Sequence, residues 1–139
     1  MKIIRRIAHV CIYAKDLEET EDWYTRVLGF KKVFNFTRDG RVFGFYLDAG
    51  DDAHIEVFEN SAAEASDRHP INHICFETFN LDDSIAHIRD QGVAATDKSF
   101  GCDDTWQSWI SDPNGVRIEL FEYASRSAQF NGGDRVANW

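Results

Sequence analysis

The hydrophobic and polar positions along this chain follow a pattern that is written twice. Residues 3–13 are rich in β-branched apolar side chains (Ile3, Ile4, Ile7, Val10, Ile12), which predicts a buried strand. Asp16 then stands as a helix N-cap with Glu19 three residues on, and Leu17, Thr20, Trp23, Tyr24, Val27 and Leu28 recur at helical spacing. Gly29 follows where a helix needs a left-handed closing residue. Three strands are predicted next, over Phe30–Thr37, Val42–Ala49 and His54–Glu59, separated by Arg38-Asp39-Gly40 and Gly50-Asp51-Asp52. Asn60–Pro70 is small and polar and reads as a linker.

The order then returns. Asn72–Thr78 reads as a strand, and Leu81, Ile85, Ile88 and Arg89 as a helix capped by Asn80 or Asp82 and closed by Gly92. Ala94–Phe100, Thr105–Ser111 and Val116–Tyr123 read as three more strands, the last two joined by the turn Asp112-Pro113-Asn114-Gly115. The prediction is an α+β fold of two tandem βαβββ modules, residues 3–59 and 71–124, within a single domain of residues 1–125. A tail over 126–139 has no counterpart in the first half and is expected either to cover an interface or to be loose.

Composition narrows the function classes. A net charge of −9 argues against a nucleic-acid backbone as partner, and no apolar run reaches the ~18–20 residues that span a bilayer. The N-terminus lacks a signal-peptide core, and the cysteines Cys11, Cys75 and Cys102 form an odd set without metal-type spacing. A reducing cytoplasm and a small-molecule substrate are the expectation.

The repeat also selects candidate chemistry. Ile7-Ala8-His9-Val10-Cys11-Ile12 returns as Ile71-Asn72-His73-Ile74-Cys75-Phe76, and Ile55-Glu56-Val57-Phe58-Glu59 as Ile118-Glu119-Leu120-Phe121-Glu122, at offsets of 64 and 63 residues. Each half therefore supplies one His and one Glu on apolar strands, where an unpartnered carboxylate costs several kcal/mol. Two imidazoles and two carboxylates from pseudo-symmetric strands would suit one divalent metal with positions left open for substrate. Cys11 and Cys75 read as small apolar wall residues, His69 and His87 as surface residues, and Cys102 as a loop thiol. His54 shares a face with Glu56 and competes as a ligand or proton relay, although its repeat partner is Arg117. Arg5, Arg38 and Arg41 are candidates for an anion clamp; Phe34, Phe36, Phe43, Phe45, Trp106 and Trp109 are candidates for an aromatic wall.

With these residues in view, the chain resembles the vicinal oxygen chelate superfamily, the glyoxalase and bleomycin-resistance group, over about residues 3–124. The resemblance rests on His9, the helix Asp16-Leu17 through Trp23-Tyr24 to Leu28-Gly29-Phe30, the strand Ile71-x-His73-Ile74-x-Phe76, and Asp112-Pro113-Asn114-Gly115-x-x-Ile118-Glu119-Leu120. It implies paired βαβββ modules curled around a metal cavity and active sites often completed in a homodimer. It also implies one divalent ion (Ni, Zn, Co, Mn or Fe(II)) held by His9, Glu56, His73 and Glu119, a set similar to the glyoxalase I type. Glu119 or Glu56 would then move a proton through a metal-bound enediolate, as in a lactoylglutathione lyase. Asn60 matches an Asn that glyoxalases use near the glutathione backbone; Tyr13 and Ser61 stand where that pattern has Arg and Trp, so glutathione and other cosubstrates both stay open. Asn60, Arg38 and Trp106 are the substrate-binding candidates. The rival readings are an extradiol-type dioxygenase using Fe(II), against which Glu56 speaks, and a metal-free small-molecule binding protein.

Overall fold

Asp16 ends the first strand and starts the first helix. Its backbone is extended and its side chain accepts a hydrogen bond from the Glu19 amide at 2.9 Å, which satisfies one of the amides that a helix start leaves without a partner. Helix α1 (Leu17–Leu28) closes on Gly29 at φ 71°, a left-handed conformation that a Cβ would strain. The computed structural model describes residues 7–60, 71 and 73–132. The chain divides into two compact units, Met1–Ala65 and Ser66–Trp139. The predicted linker beyond Asn60, the strand start at residues 3–6 and the end of the tail lie outside the described residues.

In the first unit, strands β1 (His9–Ala14), β2 (Lys31–Arg38), β3 (Arg41–Gly50) and β4 (Ala53–Glu59) form one open sheet in the order β1-β4-β3-β2. β1 and β4 run parallel and the other pairs antiparallel. The β2–β3 hairpin turns on Asp39 and Gly40, both at positive φ, the backbone that matches strand twist in a tight hairpin. One face of this sheet carries the buried Ile12, Ala14, Phe45, Leu47, Ile55 and Val57. Helix α1 lies against β2 and β4 and buries Thr20, Trp23, Tyr24 and Val27, spaced three and four apart. Burying each of the larger apolar side chains contributes about 1.5–3 kcal/mol.

β1 departs from the expectation of a buried strand. Its exposure alternates, with Ile12 and Ala14 buried and His9, Cys11 and Tyr13 exposed. Only its helix-side face enters the core; the other face is open and carries the polar groups.

The second unit repeats the arrangement with β5 (Ile74–Glu77), α2 (Leu81–Asp90), β6 (Ser99–Phe100), β7 (Thr105–Ser111) and β8 (Arg117–Tyr123), ordered β5-β8-β7-β6. Asn80 caps α2, accepting from the Asp83 amide at 2.9 Å, and Glu122 accepts from the Leu81 amide at 2.6 Å. Leu81, Ile85 and Ile88 form the buried stripe of α2, which lies against β7 and β8.

The strand expected over Ala94–Phe100 shrinks to two residues. Thr96 is the reason: its amide donates to the Trp109 carbonyl at 3.0 Å, but the Trp109 amide donates to the Thr96 hydroxyl at 2.9 Å. A side chain thus replaces the backbone carbonyl that a ladder would use, and regular pairing begins only at Ser99.

The tail is tied to its own unit. After α3 (Ala128–Asn131) begins, the Ala128 amide donates to the Asp103 carbonyl and Gln129 Nε2 to the Asp103 carboxylate, while the Ser127 hydroxyl donates to the Asp104 carbonyl. Residues 124–132 are therefore not loose.

Candidate functional site

Strand alternation and register decide which side chains meet. Cys11 pairs with Glu56 across β1 and β4, and Cys75 pairs with Glu119 across β5 and β8. In both sheets the Glu and the His two residues before the Cys rise from the face opposite the helix. His9 Nε2 lies 3.8 Å from Glu56 Oε2, and His73 Nε2 lies 3.2 Å from Glu119 Oε2. Glu119 is nearly buried, at 9% exposure. Among the described residues neither carboxylate has a Lys or Arg ion-pair partner.

The cysteines of the repeat are not wall residues. Each thiol donates to its neighbouring carboxylate. Desolvation first, then the hydrogen bond and the negative charge of Glu56, pushes the Cys11 thiol up to about 11. Desolvation, followed by the charge and hydrogen bond of Glu119, pushes Cys75 up to about 12. Both therefore stay protonated near neutrality and serve as hydrogen-bond donors to the carboxylates.

A third partner was only half legible in the sequence. Tyr46 pairs with Glu56 across β3 and β4, and Trp109 pairs with Glu119 across β7 and β8. The edge of each ring meets the imidazole of its unit, with His9–Tyr46 centroids 5.7 Å apart at 66° and His73–Trp109 centroids 4.9 Å apart at 82°. Tyr46 also stacks on His54 at 5.0 Å, and Arg117, at the equivalent place in the repeat, sits 4.7 Å over Trp109. His54 thus joins the face of His9 and Glu56, in contact with Tyr46.

The remaining candidates separate. Trp106 pairs with Glu122, three residues from Trp109, so it lies on the α2 side of the sheet, with Lys98 Nζ 5.0 Å from its ring. Expected beside the substrate, it is instead removed from the Glu119 face, which Trp109 occupies. Phe45 is likewise core, at 1% exposure. The Asn60 amide donates to the Ala14 carbonyl at 2.8 Å, continuing the contact between β1 and the chain leaving β4. Arg38 lies 4.6 Å over Phe43, and Arg41 pairs with Glu59. His87 is exposed; Arg5 and His69 lie outside the described residues.

Two modules of this topology, each with a His and a Glu at one register, match a known sequence profile. The Glyoxalase/Bleomycin resistance protein/Dioxygenase superfamily profile covers residues 6–120. The chain belongs to that superfamily. No curated protein matches it. Among solved structures it is similar to a glyoxalase family protein from Enterococcus faecalis, with a TM-score of 0.76 and 23% identity, over 87% of this chain and 100% of that one. It is also similar to an integron cassette protein from the mobile metagenome of V. cholerae (TM-score 0.67, 26% identity, 89% and 99% covered). A lactoylglutathione lyase from Agrobacterium tumefaciens shares the fold (TM-score 0.66, 20% identity, 87% and 96% covered). Among the described residues of this superfamily member, no helix is long and apolar enough to cross a membrane.

Superfamily members are often metal-dependent, and the donors can be tested against that. Within the described residues no group of three or more His, Cys, Asp and Glu is gathered to hold an ion. Each unit by itself offers two donors, an imidazole nitrogen and a carboxylate oxygen. Largely buried carboxylates with an imidazole alongside and no fixed cation are chemically suited to a divalent metal. Within each unit the donor types fit a divalent ion, two donors at a time.

Proposed function

We propose that this protein is a divalent-metal-dependent lyase or isomerase of the glyoxalase I type. The observation that carries the reading is the identical register of His9–Cys11–Glu56 and His73–Cys75–Glu119 on the open faces of the two sheets. In this reading His9, Glu56, His73 and Glu119 hold one divalent ion, with Ni, Zn, Co, Mn and Fe(II) all compatible with two nitrogens and two oxygens. The ion would supply Lewis-acid polarisation of two adjacent oxygens on a small hydroxycarbonyl substrate.

The chain's own residues do the rest. Glu119, or Glu56 at the equivalent position, accepts the proton from the substrate carbon and returns it to the neighbouring one. The thiol of Cys75 or Cys11 holds that carboxylate by a hydrogen bond, and Trp109 or Tyr46 holds the imidazole. We take the working assembly to be a cytoplasmic homodimer; exposed Ile7, Ile71 and Phe79 offer apolar surface for contact.

Elemental analysis of the purified protein beside Glu56→Gln and Glu119→Gln, followed by a methylglyoxal–glutathione assay with each metal restored, tests the reading. About one metal per protomer in the wild type, reduced in both variants, supports it. Turnover assigns glutathione as cosubstrate, and metal without turnover leaves an isomerase of another substrate. Catechol-dependent oxygen uptake with Fe(II) would replace the reading by a dioxygenase. Failure to bind metal after reconstitution would replace it by a binding protein.

A further inference from the structure

The open face of the first sheet differs from that of the second in one respect that the fold does not require. With Glu56 and Glu119 aligned, Phe36, Gly44 and Phe58 occupy the same three neighbouring positions as Ser99, Gln107 and Phe121. The second sheet places two polar side chains beside one ring there, whereas the first places two rings beside a glycine. Around Phe58, Phe36 lies at 5.0 Å, and Phe43 stacks at 5.6 Å with only 10° between the planes. Phe34 stacks on Tyr46 at 5.0 Å and 18°, and Tyr46 in turn edges onto His9. The rings form a continuous row from the His9–Glu56 pair across the sheet.

Two local features build this row. A register slip opposite Phe36 and Thr37 leaves Phe43 between the paired Val42 and Gly44 and lets its ring join Phe58. Gly44 leaves room for the Phe58 ring, whose Cδ1 would lie 2.5 Å from any Cβ placed there. At the far end Arg38 lies over Phe43 at 4.6 Å, and among the described residues it makes no ion pair, whereas the nearby Arg41 is taken by Glu59. On a chain of net charge −9, a guanidinium that lies over the end of a ring row and makes no ion pair among the described residues is a specific place for an anion.

We propose that this face binds the body of the substrate, a flat aromatic group bearing a carboxylate, with the ring against Phe36 and Phe58 and the carboxylate on Arg38. The inference rests on the metal-dependent reading above and names the class of substrate for that site. Stacked and edge contacts favour a planar ring over a flexible peptide, and the Arg38 fork favours a carboxylate over a neutral end.

Calorimetric titration of the full-length protein with 2-naphthoate, and with 2-naphthylmethanol as the uncharged counterpart, tests it. Phe36→Ser installs the residue that the second sheet carries at that position, and Arg38→Gln alters an exposed side chain. Both probes are expected to bind the wild type. Phe36→Ser should weaken both about tenfold, and Arg38→Gln should weaken naphthoate by about that factor while leaving naphthylmethanol unchanged. No binding to the wild type, or equal binding by Phe36→Ser, overturns the proposal; an Arg38→Gln effect that is absent or equal for both probes overturns its anionic part. Metal content measured on the same samples separates the two readings. Metal without probe binding sinks this inference alone, and probe binding without metal sinks the catalytic one.

Discussion

Tyr46 and Trp109 hold one position in two sheets: each is the direct cross-strand neighbour of the repeated glutamate, and each turns toward the repeated histidine. Aromatic side chains of different size make the same edge contact with an imidazole. An imidazole edged by a ring loses freedom to rotate, which aligns its nitrogen for a ligand. If His9 and His73 hold the proposed metal, replacing Tyr46 or Trp109 with Leu should lower its affinity about tenfold while Phe at either position retains most of it. Competition against a chromophoric chelator measures this without reference to turnover.

Gly44 is the tightest point of the aromatic face. A methyl group there would meet the Val57 carbonyl and the Phe58 ring. Gly44→Ala should therefore destabilise the protein by about 1–3 kcal/mol, as overpacking does, and displace Phe58. A urea titration gives the first effect, and the aromatic proton shifts give the second.

The tail clamp depends on pH. Burial alone would raise the Asp103 carboxyl, but hydrogen bonds from Thr105, Gln129 and nearby backbone amides outweigh it and lower its value from 3.8. A carboxyl lowered on folding stabilises the native state fully above its unfolded value, and that contribution fades as the pH falls through the folded value. The wild type should lose stability relative to Asp103→Asn as the pH is taken from 5 down to 3, while Asp103→Asn is already the weaker of the two at pH 7. Urea midpoints across that range, compared between the two proteins, check the sign.

The start of α1 offers a separate test. Asp16→Ala removes the acceptor for the Glu19 amide and should cost about 1 kcal/mol. Asp16→Asn keeps an acceptor and should cost less. Thermal unfolding of both variants distinguishes the loss of the cap from the loss of charge.

Much of this was legible along the chain, because strand and helix periods and the repeat are properties of local order. The extent of α1, the capping residue Asp16, and the recurrence of His9, Cys11 and Glu56 sixty-odd residues later follow from spacing alone, whereas for α2 spacing leaves Asn80 and Asp82 both open as the cap. What spacing cannot supply is register between strands distant in sequence. Trp106 and Trp109 are equally plausible beside a substrate until β7 is paired with β8, and that pairing sets Trp109 against Glu119 and turns Trp106 to the helix. The hydrogen bond of each cysteine to its glutamate, the hydroxyl of Thr96 standing in for a carbonyl, and the Phe43 ring brought round by a slipped register are likewise contacts between strands. Local sequence determined which elements form and which face each presents; only the tertiary structure decided which side chains on those faces touch, because a shift of one residue in register reverses every neighbour.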